Sequence, residues 1–170
     1  VWVDDSGIRA GAYTKNTVET ALSVQKIALR QNLPLVHLVE SAGANLMDFT
    51  VENWIGAGAM FRNLAWLSAK GLPVITVLHG PSTAGGAYMP GMSDYVVGVR
   101  NNGLAALGAA ALVKAATGEV ANDRELGGSE MHASITGLVE YLADDVHRRR
   151  PMHRSISPGW QRRWSEDVGK

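Results

Sequence analysis

Two short stretches, SAGAN (41–45) and PSTAGGA (81–87), combine small side chains with a high density of main chain. Each follows an apolar run, LPLVHLVE (33–40) and LPVITVLHG (72–80). A helix start presents amide N–H groups without partners, together with the positive end of the helix dipole. Glycine and alanine let a ligand atom come close to such amides. The chemistry these stretches suit is therefore the holding of an anion or of a polarised carbonyl oxygen. Two such loops side by side could supply one N–H each. The candidate pair is Ala44 or Gly43 from the first loop and Gly86 or Gly85 from the second. Loss of one donor from an oxyanion hole typically raises the barrier by about 3–4 kcal/mol. The competing explanation is that these residues only allow strand and helix to pack tightly.

Other chemistries fit the sequence less well. GPSTAGG lacks the lysine of a phosphate-binding P-loop, and neither GxGxxG nor GxSxG occurs in it. Ser82 with His79 or His132 as base would be a hydrolase arrangement, but serine in a turn more often serves as a hydrogen-bonding cap. His37 sits inside a strand-like run and reads as a core or surface histidine. Lys114 and Thr117 in LVKAATGE either meet a phosphate or lie on a solvated helix face. No spacing of His, Asp and Glu resembles a metal site.

The elements that position the loops follow from periodicity. Residues 17–31 and 52–70 have helical spacing, the second stretch ending at Gly71. The apolar runs 33–40, 72–80 and 95–100 read as buried strands. Residues 84–92 predict a short helix limited by Pro90, residues 103–118 a helix in their second half, and SITGLVEYLADD a strand–helix piece. The order helix, Leu-Pro, strand, small-residue loop occurs twice. Alternating strands and helices predict an α/β layered fold with parallel strands, both loops lying at the carboxyl end of the sheet where such sheets bind ligands.

The 170 residues are 46% apolar and 19% charged, include 19 glycines and contain no cysteine, which excludes disulfides and thiolate chemistry. No apolar run reaches the roughly 18 residues of a membrane span, and no signal peptide is visible. The expectation is a cytoplasmic protein with no membrane partner. Residues 1–146 carry 9 lysines and arginines against 14 acids, and residues 147–170 carry 7 against 2. We read that basic end as a solvated, poorly ordered tail (146–170) rather than a nucleic-acid binder, because the five tryptophans have no stacking register. VWVDD opens on an alternation, as if earlier elements were missing.

ESAGANL, HGPSTAGGAYMPGMSDYVV, LVKAATGE and ELGGSEMHA, in this order, resemble the carboxyltransferase (beta) subunit of biotin-dependent acyl-CoA carboxylases of the acetyl-, propionyl- and methylcrotonyl-CoA type. The resemblance is to the first of that family's two crotonase-like domains. It implies a ClpP/crotonase-like spiral of ββα units, incomplete at its N-terminus, over residues 1–145. It also implies transfer of a carboxyl group from carboxybiotin to the α-carbon of an acyl-CoA, with no metal and with the α-proton leaving to biotin. Backbone amides of Gly43, Ala44, Gly85 and Gly86 would hold the thioester enolate. Ser41, Ala42, Thr83, Ala84, Ala87, Lys114 and Thr117 would lie along CoA. Biotin would arrive on a partner carrier, and a homo-oligomer is implied. The family's second domain, which cradles biotin, is not in this sequence, so the isolated chain is expected to be inactive. Where the family reads GPPLVKAATGE, this chain has Ala110 and Ala111 in place of two prolines. The alternatives are a remnant that only binds acyl-CoA and a crotonase-fold decarboxylase or hydrolase.

Overall fold

The computed structural model describes residues 1–48 and 50–144. The basic segment 146–170 and the boundary placed at residue 145 lie outside the described residues.

At the centre is a parallel sheet in the order β1 (Trp2–Val3), β2 (Leu35–Ser41), β3 (Val74–Thr83), β4 (Tyr95–Val99) and β6 (Tyr141–Ala143). A further strand, β5 (Leu104–Ala106), pairs with the far end of β3. The β2–β3 ladder runs from Leu35↔Val74 to Val39↔Leu78, then shifts so that Ser41 meets Ser82. Alternate residues of these strands, Leu35, Val39, Val74 and Leu78, are buried on one face. Against that face pack α1 (Lys15–Gln31) and α2 (Val51–Ala69) through Ala21, Ala28, Met60, Leu64 and Leu67.

Both long helices begin where side chains can cap them. Thr14 accepts from the Thr17 amide, and Thr50 from the Asn53 amide. A buried polar link joins the helices: Gln25 Nε2 donates to Met60 O at 3.1 Å, and Asn63 Nδ2 donates to Gln25 Oε1 at 3.1 Å. This link sets the position of α2, whose first turns wall the candidate site.

Several boundaries differ from the sequence expectation. Strand β3 continues through Pro81, Ser82 and Thr83, because β5 gives this stretch a partner. The small-residue loop is therefore shorter than the motif. It folds as a 3-10 turn, Ala84–Ala87, leading into α3 (Tyr88–Gly91). The second half of 103–118 is helix as expected, α4 (Ala110–Thr117), and the first half holds strand β5. Residues 134–144 hold the end of a π-type turn (His132–Thr136) and strand β6 rather than a strand followed by a helix. Between α4 and that turn lie the short helices α5 (Asp123–Gly127) and α6 (Ser129–Met131).

Candidate functional site

Because β2 and β3 are parallel neighbours, their carboxyl ends deliver both loops to the same place. Gly43 marks the contact. Its φ is +83°, a conformation side chains disfavour, and a Cβ built there would sit 3.0 Å from Thr83 O and 3.1 Å from Gly85 N. Gly86 is pressed still closer to the other loop: a Cβ there would lie 2.8 Å from Ser41 O. Part of the glycine content thus serves packing, as the competing explanation held. The packing also brings the loops together.

Over this junction lies a cavity of about 790 Å³. Ala42 and Ala44 line it from the first loop, Ala84 and Gly85 from the second. Its walls are largely apolar: Trp54, Ala57 and Phe61 of α2, with Tyr88, Met92 and Leu107. The rings of Phe61 and Tyr88 meet edge to face at 5.7 Å. Sequence reading missed these wall residues, since an exposed aromatic on a helix has no pattern that separates cavity wall from surface. Tyr13 also lines the cavity and was missed.

Hydrogen bonds sort the candidate amides. Gly43 N–H donates to Ser41 Oγ at 3.0 Å, so it is not available to a ligand, which narrows the first-loop donor to Ala44. Ala42 N–H donates to Ala10 O. Gly86 is buried against Ser41 and does not line the cavity. Among the described residues, no hydrogen bond engages the amide of Ala44, while Gly85 lies within the 3-10 turn at the cavity wall. Ser41 is fully buried, its hydroxyl donating to Gly11 O and accepting from Gly43, so its side chain is spent inside the loop. Thr83 and Ala87 are half-buried behind the cavity, and Ala84 is exposed at its edge. Lys114 and Thr117 are exposed on α4 and do not line the cavity; Thr117 Oγ1 donates to Val113 O.

The hydrolase arrangement fails on geometry. Ser82 Oγ is buried without a partner, and its side chain is on the inner face of β3. His79, an odd number of residues away, falls on the opposite face, where Nδ1 lies 3.6 Å from Glu40 Oε2. His132 has both ring nitrogens engaged, Nδ1 with Thr136 Oγ1 and Nε2 with Ala105 O, each at 2.8 Å. His37 is in the core, with Nε2 3.0 Å from Asp4 Oδ2. Burial and the neighbouring Asp4 carboxylate push the Tyr13 phenol above its ordinary range. Among the described residues no group of three His, Asp or Glu side chains is arranged to hold a metal ion, and no helix is long and apolar enough to cross a membrane.

A family model, carboxyl transferase domain, matches residues 1–157. The chain belongs to the carboxyl transferase domain family. It is 46% identical over 142 residues to a probable biotin-dependent acyl-coenzyme A carboxylase beta2 subunit of Mycobacterium tuberculosis, covering 84% of this chain and 27% of that protein. It is 43% identical over 156 residues to that organism's biotin-dependent 3-methylcrotonyl-coenzyme A carboxylase beta1 subunit, covering 91% of this chain and 30% of the relative. Among solved structures, the beta subunit of geranyl-CoA carboxylase from P. aeruginosa superposes with a TM-score of 0.75 at 43% identity, over 84% of this chain and 26% of that one. Transcarboxylase 12S superposes with a TM-score of 0.74 at 26% identity, over 83% of this chain and 27% of that one. The chain thus spans about three tenths or less of the length of these relatives. The α/β parallel sheet is that of the carboxyl transferase and crotonase-like neighbours.

Proposed function

We propose that this chain is the thioester-holding part of a carboxyltransferase, which moves a carboxyl group from carboxybiotin to the α-carbon of an acyl-CoA. One observation carries the reading: Ala44 and Gly85, from the mouths of adjacent parallel strands, line one cavity, and no described residue uses the Ala44 amide. When the α-proton leaves, the electron pair of the C–H bond moves onto the thioester oxygen. Two N–H donors stabilise that charge, and apolar walls strengthen the effect by keeping water away.

Carboxybiotin would supply the carboxyl carbon. Asn45, Asp48 and Asn53 at the described cavity rim offer the biotin ring little, because they are tied to one another, with Asn45 Nδ2 on Asp48 Oδ2 at 2.7 Å and Asn53 Nδ2 on Asp48 O at 3.4 Å. No step is therefore derived through biotin. A biotin-carrier partner, assembly into an oligomer and a cytoplasmic location belong to the same proposal; the transcarboxylase 12S neighbour is described as a hexamer. Lys114 is our candidate for a CoA phosphate.

The test is calorimetry with 3-methylcrotonyl-CoA and with free CoA. Ala44→Pro removes the one amide in question, since the flanking bonds use Gly43 O and the Asn45 amide. Acyl-CoA affinity should fall up to tenfold, the scale of one hydrogen bond, while CoA affinity stays. No heat with either compound from the unaltered chain would favour the remnant and end this reading.

A further inference from the structure

A main-chain donor has no side chain with which to aim itself, so its direction must come from the residues that hold its loop. Here the holder is the segment 10–13. Tyr13 N–H donates to Gly43 O at 2.7 Å, and the Asn45 N–H donates back to Tyr13 O at 3.0 Å, so one residue brackets Ala44 on both sides. Ala42 N–H donates to Ala10 O at 3.0 Å, and Ser41 Oγ to Gly11 O at 2.7 Å. The strap itself is not relaxed: Arg9 and Ala10 sit at φ +51° and +54°, a region residues other than glycine seldom occupy. Something must hold it there. The Tyr13 hydroxyl reaches into the core and donates to Asp4 Oδ2 at 3.2 Å. The same oxygen lies 3.0 Å from His37 Nε2 and accepts the Glu40 amide at 3.4 Å, and Trp2 stacks on His37 at 3.8 Å. Asp4, Tyr13 and His37 are all buried.

We propose that Tyr13 is a positioning residue for the Ala44 amide: its phenol, moored to Asp4, fixes the strap, and the strap fixes where the N–H points. This rests on the reading of Ala44 as a thioester donor. The network serves none of the reacting atoms directly, and a core that needed only packing would have no use for a carboxylate with three partners at that place.

The experiment uses the full 170-residue chain and 3-methylcrotonyl-CoA labelled at the thioester carbonyl carbon, read by isotope-edited infrared difference spectroscopy. In the unaltered chain the carbonyl stretch should move to lower frequency on binding. Tyr13→Phe keeps the ring and both main-chain bonds but loses the mooring. The shift should disappear and the preference for acyl-CoA over CoA should fall about tenfold, with CoA affinity unchanged. Asp4→Asn, which still offers an oxygen to the phenol, should restore most of the shift. Should Tyr13→Phe fail to fold by circular dichroism, Asp4→Ala is read the same way. A full shift in Tyr13→Phe overturns the inference, as does loss of CoA affinity together with the shift, which would mark a purely structural role. No shift in the unaltered chain overturns the thioester reading itself, and this inference with it.

Discussion

Tyr13 shows how much one buried residue is asked to do. Its hydroxyl is moored to a carboxylate, and burial together with Asp4 makes the phenolate costly in the fold. The folded phenol therefore holds its proton more tightly than the unfolded one. The stabilisation is complete below the unfolded value, about 10, and is lost as pH rises above it. Urea unfolding across the alkaline range should show stability declining steeply above that point, and Tyr13→Phe should flatten this limb. An equally steep limb in the variant would contradict the assignment. Charge at Lys114 makes a separate prediction. Lys114 is exposed on α4, and a phosphate contact at such a site is screened by salt. Lys114→Ala should weaken CoA binding about threefold at low ionic strength, the size of one exposed charge pair, and should make no difference at high salt. An effect independent of salt would point to something other than charge. None of this polar network was legible in the sequence, because Asp4, Tyr13, His37 and Ser41 are joined by folding and not by spacing. For His37 the sequence showed a place inside an apolar strand and left core and surface both open.

At the scale of elements, periodicity served well for long segments and failed where a partner decided the outcome. The helices read over 17–31 and 52–70 were visible because apolar positions recur; the structure runs them over 15–31 and 51–69, where Thr14 and Thr50 cap them. The extension of β3 through Pro81 was not visible, since proline argues against a strand unless its missing N–H is unused. Helix α4 offers a sharper case. In the resembling family two prolines fall at the start of this helix, and here Ala110 and Ala111 stand in their place. The structure gives the exchange a consequence. Ala110 N–H donates to Asp123 Oδ1 at 2.6 Å, a bond a proline cannot make, and Ala109 at the cap position supplies no side-chain acceptor. A proline suits the first helical position sterically, so Ala110→Pro isolates this bond. We expect a loss of about 0.5–1 kcal/mol in chemical denaturation. In an Asp123→Ala background the same substitution should cost nothing further, the mark of a shared interaction. Independent costs would show that the bond to Asp123 is not what holds the start of α4.

For the molecule as a whole, the α/β parallel sheet and the meeting of two loops at its carboxyl end were legible because a strand-loop pattern occurred twice. Parallel neighbours leave both loops no other end to occupy. The cavity walls were not legible, since α2 and α3 reach the site only through tertiary packing. That division bears on activity. Two amides and an apolar wall suffice to hold and polarise a thioester. Carboxyl transfer needs more, because the donor carbon must be held within roughly 3–3.5 Å of the α-carbon, and alignment of that kind supplies about 7–11 kcal/mol of the barrier. Three polar side chains of the described rim, Asn45, Asp48 and Asn53, are already bonded among themselves and are not free to align the ring of the donor. Binding and turnover should therefore separate in this chain. Calorimetry should give heat with 3-methylcrotonyl-CoA, since binding needs only the amides and the apolar walls. Incubation with free carboxybiotin should yield no carboxylated product by mass spectrometry. Product formed at a rate above the uncatalysed background would mean that the donor is aligned by residues assigned here to the rim, and that the two amides are only part of a complete active site.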